Sequence, residues 1–175
     1  MTNSIFLFGT FAGLIIIGAI IATLAFADGD HGASALFLGY LIMIVALSMI
    51  FFAVKRYRDQ ELGGVIKFVP AFLMGLGITA VAGVIYVLVW EVYLAATNYT
   101  FMDAYASAMI EAERAKGAAG DLAKVTEEME SAKALYANPL TRMAMTFVEI
   151  APVGLLIALI SAAILRNPKV LPARA

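Results

Sequence analysis

The chain has 175 residues, 63% of them hydrophobic and 14% charged, with a mean hydropathy of +0.92. Soluble domains are nearer half apolar and a quarter charged, so this composition excludes an ordinary soluble domain and points to an integral membrane protein. A net charge of -1, no cysteine and one histidine exclude a disulfide framework, a thiolate nucleophile and the usual multi-histidine metal centres.

Ile5 to Ala27 is the first long apolar run, broken only by Gly9, Thr10, Gly13, Gly18 and Thr23. Ala25, Phe26 and Ala27 have the small-x-small look of a cleavage site. However, no Lys or Arg precedes the run, and it exceeds the roughly 7 to 15 residues of a signal-peptide core. It reads as a retained span. Gly9 and Gly13 have the spacing of a close-packing face, a weak pattern where glycine is common. Asp28, Gly29, Asp30 and His31 form a polar turn without Lys or Arg. A zinc-type cluster of His31 with these acids and Glu91 rests on one imidazole, and an exposed turn histidine is the simpler reading.

The second span, 35–54, ends in Lys55, Arg56 and Arg58, followed by a Gly63-Gly64 breaker and Lys67. The third, Phe68 to Ala96, would be roughly 40 Å long as a helix, more than a bilayer core of about 30 Å requires. Pro70 is tolerable in its first turn. Ala71, Gly75, Thr79 and Gly83 recur every fourth residue along it, which predicts a helix-packing seam. Trp90, Tyr93 and Tyr99 read as an aromatic belt at the far interface.

Residues 98–138 are the one sizeable polar insert, expected as an external helical hairpin. Thr100 and Asp103 resemble a capping box, and Phe101, Tyr105, Ala108, Met109 and Ala112 supply an apolar face. Gly117 to Gly120 reads as the turn. Asp121 is placed to cap a second helix whose Leu122, Val125, Met129, Ala132 and Tyr136 lie opposite Glu127, Glu128 and Glu130. The sequon Asn98-Tyr99-Thr100 is a match common by chance. Asn138 and Pro139 suit the cap and first position of the next helix. The fourth span, 142–165, contains Glu149 and Pro152, and the basic tail with Arg166, Lys169 and Arg174 is expected to be loosely ordered.

The fold class is therefore all-α: a single four-span membrane domain with spans near 5–27, 35–54, 68–96 and 142–165, and the hairpin between the third and fourth. Lys55, Arg56, Arg58 and Lys67 in the second connection and the basic tail place both termini in the cytoplasm by the positive-inside rule. The Lys55, Arg56 and Arg58 cluster is the topology determinant and can also attract anionic lipid.

Three blocks of residues go further. One is Gly39 to Met43 with Phe51 to Asp59 and Leu62 to Gly64; the second is Tyr86 and Val87 through Trp90 and Glu91. The third is Asn138 to Leu140, Met145 to Ile150 and Pro152 to Gly154. In order and spacing, over roughly residues 34 to 167, these resemble the bacterial membrane proteins grouped as domain of unknown function 4199. The resemblance implies a four-span fold in a bacterial inner membrane, and no activity. The turn from Asp28 to His31 and the Ala-rich hairpin turn gain nothing from it.

Glu91 and Glu149 are the acids inside apolar spans, where a charge costs at least about 2.5 kcal/mol. Each lies about 10 Å below the outer edge, counting along the helices. The third and fourth spans run antiparallel, so the two carboxylates can meet at one level. Pro152 cannot donate to the carbonyl of Val148, and two acids beside that carbonyl would suit a proton or hard cation. The structural reading is pairing with a base: Arg142 is seven residues before Glu149, on the same helix face and nearer the water. Glu149 is off the small-residue face formed by Gly154, Ala158 and Ser161.

Two functions are carried forward. One is a structural or regulatory membrane subunit presenting the hairpin to a partner. The alternative is a small proton- or cation-coupled carrier using Glu91 and Glu149. An enzyme is not expected, since no Ser/His/Asp, Cys/His or metal-ligand set can be assembled; acids alone leave only a lipid-modifying activity open. No cofactor and no nucleic acid are implied. The partners expected are the lipid bilayer and either a second copy or a membrane or periplasmic protein.

Overall fold

The computed structural model describes residues 1–26, 33–117 and 119–172. The turn with Asp28, Asp30 and His31 lies outside them, as does Arg174. The described residues form α1 (Thr2–Phe26), α2 (Ala33–Leu47), α3 (Met49–Glu61), α4 (Phe68–Ala96), α5 (Phe101–Ala115), α6 (Ala119–Ala137) and α7 (Pro139–Leu165), with no strand among them. Four stretches are long and apolar enough to cross a membrane: Thr2–Leu24, Phe37–Glu61, Phe68–Ala96 and Pro139–Leu165. In a bilayer, helices of this kind satisfy every backbone group within the segment. The protein is an all-α membrane protein of four spans, with the hairpin α5–α6 between the third and fourth.

The outward face fits that setting. Phe6, Phe37, Val45, Val69 and Val92 are each at least 60% exposed from the protein. In water such a surface would drive aggregation, whereas lipid tails cover it at no cost. The second span breaks at Ser48, whose hydroxyl donates to the carbonyl of Val45, and then runs on helically to Glu61.

The third span, α4, is the centre of the bundle. Ala71, Gly75, Thr79 and Gly83 are all buried. A methyl group added at Gly75 would come within 2.7 Å of Ala158 Cβ on α7, and one at Gly83 would meet Phe147 and Ile150. Gly154 of α7 packs directly on Thr79, whose hydroxyl is satisfied by donating to the Gly75 carbonyl at 3.0 Å. Small residues on both helices thus let the two backbones approach, which is how membrane helices gain contact without a hydrophobic drive. On the opposite side of α4, Gly9 and Gly13 of α1 abut Val81 and Ala82. The pairs run parallel for α1 and antiparallel for α7, so Met1 and Leu165 lie at the same end as the α3–α4 turn.

At that end the basic cluster does not act as a unit. Arg58 does not face lipid; it is fully buried. Its guanidinium donates to the carbonyls of Leu165 and Val170, at 3.4 and 3.0 Å, and to that of Leu171, while its Nε pairs with Asp59 at 2.7 Å. Leu165 is the last residue of α7, where carbonyls are left unpaired and carry negative partial charge, while Val170 and Leu171 lie in the tail beyond it, and the planar fork of Arg reaches all three at once. The tail as far as Leu171 is accordingly wrapped onto the bundle, with Leu171 itself in a left-handed conformation (φ 50°). Arg58→Ala is expected to free the tail, so that trypsin cuts after Arg166 and Lys169 at least about tenfold faster, because hydrogen bonds to a charged group are lost. Arg58→Lys should protect only partly; full protection by Lys, or no change with Ala, would show the clamp to be idle.

Candidate functional site

At the other end of the bundle the chain leaves α4 through Asn98 and Tyr99, both left-handed at φ 53° and 57°. The Tyr99 N–H closes α4 by donating to the Leu94 carbonyl at 2.8 Å. The expected capping box does not form: the Thr100 hydroxyl donates back to Thr97, and Asp103 instead pairs with Lys133 of α6 at 2.9 Å. Asp121 falls within the first turn of α6 rather than capping it. The cap of α7 is made by Asn138, whose side-chain oxygen accepts from the N–H groups of Leu140 and Thr141 at 2.9 and 3.3 Å, with Pro139 following.

The elements at this end converge on Arg142. Its Nε and Nη2 donate to the two carboxylate oxygens of Glu91, each at 2.7 Å. Its Nη1 donates to the Tyr136 carbonyl at 3.1 Å, and its guanidinium lies 4.9 Å from the Tyr99 ring centre and 5.7 Å from that of Tyr136. One side chain thereby ties α4, α6, α7 and the α4–α5 turn together. Both partners are largely buried, with side-chain exposures of 6% for Arg142 and 14% for Glu91. The expectation that Arg142 serves Glu149 on its own helix is not what the structure shows: the bidentate partner is across the seam.

Glu149 has a different neighbour. Its carboxylate accepts from the Tyr86 hydroxyl at 3.1 Å. The two intramembrane acids are therefore not a pair; each has its own partner. Among the described residues no three His, Cys, Asp or Glu side chains converge to hold a metal ion.

Trp90 also departs from its expected place in an interfacial belt. It is 5% exposed. Its indole N–H donates to the Tyr136 hydroxyl at 2.7 Å, its ring stacks on Tyr93, and Phe101 meets it edge-on at 4.9 Å. These contacts seat the base of the hairpin on the bundle. Burial pushes the Tyr136 phenol above its usual range, with the Trp90 hydrogen bond acting the other way. The hydroxyl accordingly stays neutral, which suits an acceptor for an indole donor. Tyr86, Trp90 and Tyr136 were not singled out as partners from the sequence. A signal was present: Tyr86 and Trp90 continue the face of Thr79 and Gly83 at helical spacing, which marks them as inward-facing.

Beneath the hairpin, between α1, α2, α4 and α7, lies a half-open cavity of about 400 Å3. Its lining includes Tyr86, Trp90, Phe101 and Tyr136, with Glu149 as the one charged group among the described residues there. Gly39 of α2 lines it, and nothing lies within 4 Å of where a side chain there would begin.

Four helices long and apolar enough to cross a bilayer make this an integral membrane protein. Residues 7–167 match the family described as protein of unknown function (DUF4199), and the chain belongs to that family. No curated protein and no solved structure matches it.

Proposed function

We propose that the chain is a non-enzymatic subunit of the bacterial inner membrane that holds the hairpin α5–α6 as a fixed docking element on the periplasmic side. The observation that carries this reading is the Arg142 latch. Glu91, an intramembrane acid of the kind transport would use, is instead spent on anchoring the hairpin, through Arg142 and the Tyr136 carbonyl. The orientation rests on Lys55, Arg56, Lys67, Arg166 and Lys169 gathered at the end opposite the hairpin. On α6, Glu127, Glu128 and Glu130 are exposed, which favours a partner with a basic surface. A carrier built on two adjacent glutamates gains no support, because each acid is engaged separately.

The test is site-specific photo-crosslinking in intact cells from Glu127 and Ser131 on the hairpin, both exposed, with Val69 on the lipid face as control. A discrete adduct at the hairpin positions alone is expected. Crosslinks equally frequent at Val69, or none from the hairpin, would remove the docking role.

A further inference from the structure

The cavity under the hairpin is built unlike the rest of the bundle. Its wall is aromatic on the α4 and hairpin sides, and Met43, Met102, Met129 and Met145 complete it. Aromatic faces attract cations, and methionine is a flexible, polarizable lining that adapts to differently shaped apolar ligands. Into this wall the chain places one carboxylate, Glu149, with no Lys, Arg or His among the described lining residues. The nearest base on its helix, Arg142, has its charge matched by both oxygens of Glu91. The Glu149 carboxylate is met by the Tyr86 hydroxyl, a neutral donor.

A small hydrated cation does not suit this place. Hard cations take six to eight oxygens or keep their water, and the polar lining here is a carboxylate and a few hydroxyls. The volume falls in the range of roughly 300–1,000 Å3 that holds drug-sized molecules. We infer that the cavity binds a bulky lipophilic cation, an organic ammonium or phosphonium, with its charge beside Glu149 and its apolar body against Trp90, Phe101 and the methionines. Charge complementarity is the argument against a plain lipid tail, which would gain nothing from a carboxylate and would leave it desolvated. This inference is independent of the hairpin's docking role, since it concerns the inner side of the hairpin and the docking role its outer side.

The protein carries its own reporter, because Trp90 is the one tryptophan in the chain and lines the cavity. In nanodiscs, with empty discs as the reference for partitioning, tetraphenylphosphonium should change Trp90 emission saturably. Tetraphenylborate, the same shape with opposite charge, should not. Glu149→Gln should weaken phosphonium binding about tenfold or more, as expected for losing a charged partner, while Glu149→Asp retains most of it. Gly39→Phe puts a bulky ring at a lining position where nothing lies within 4 Å of the new Cβ, leaves the acid in place, and should also weaken binding, which keeps the test alive if Glu149→Gln fails to fold. Equal response to both ions, or binding unchanged in Glu149→Gln and in Gly39→Phe, overturns the inference and leaves an apolar groove occupied by lipid.

Discussion

Arg142→Met is expected to cost the folded bundle about 3–5 kcal/mol, because it strands the Glu91 carboxylate in a largely buried position without its partner. Glu91→Leu alone should cost a similar amount by stranding the guanidinium. The double variant, Glu91→Leu with Arg142→Met, should recover most of the loss, since replacing both desolvated charges by apolar groups is often close to neutral. A residue of about 1 kcal/mol should remain for the Tyr136 carbonyl, which loses its donor. Thermal unfolding in detergent, followed by circular dichroism across all four proteins, measures the coupling directly. If the two single losses simply add in the double variant, the pair does not act as a latch. Hydrogen exchange on the hairpin gives a second readout: in Arg142→Met, amides of α5 and α6 should exchange faster than those of α1.

Gly154→Ala is expected to destabilise by about 3 kcal/mol, the upper part of the usual range for overpacking. The added methyl would land on the Thr79 side chain, with Thr79 Cβ itself only 2.8 Å away. Thr is branched at Cβ and stiff at χ1, so it cannot swing clear, and the strain must instead push α4 from α7. Thr79→Gly on the same background makes the room that Gly154 used to make and should restore most of the stability. Gly18→Ala is the control. Nothing lies within 4 Å of a methyl group there, and the change should be neutral to stabilising by up to about 1 kcal/mol, Ala being the better helix former. An equal effect at Gly18 and Gly154 would mean that the seam between α4 and α7 is not closely packed.

The membrane class, the four spans and the hairpin were legible from the chain because they follow from local physics. An apolar run of this length has few fates other than crossing a bilayer, and its backbone must then be helical. The polar insert with apolar residues at helical spacing is equally local: Phe101 and Tyr105 fall on one face of α5, and Met129 and Tyr136 on one face of α6, whatever lies around them. Small residues every fourth position on α4 also carry a meaning of their own, since only a close neighbour makes them useful.

Which side chain meets which was not legible in the same way. Arg142 shares a helix face with Glu149 two turns away, yet it takes Glu91 on α4, because the axial register set by Gly75 on Ala158 and Gly154 on Thr79 brings Glu91 level with it. The same register turns Trp90 inward to Tyr136 and leaves Glu149 with Tyr86 in the cavity wall. Arg58 reads as one basic residue among several until the end of α7 and the tail after it bring their carbonyls beside it. Hydrophobic length and period belong to each segment, so the order of residues was enough to set them. Partner choice and the cavity depend on the rotation and offset of helices far apart in the chain, and those were fixed by packing in three dimensions.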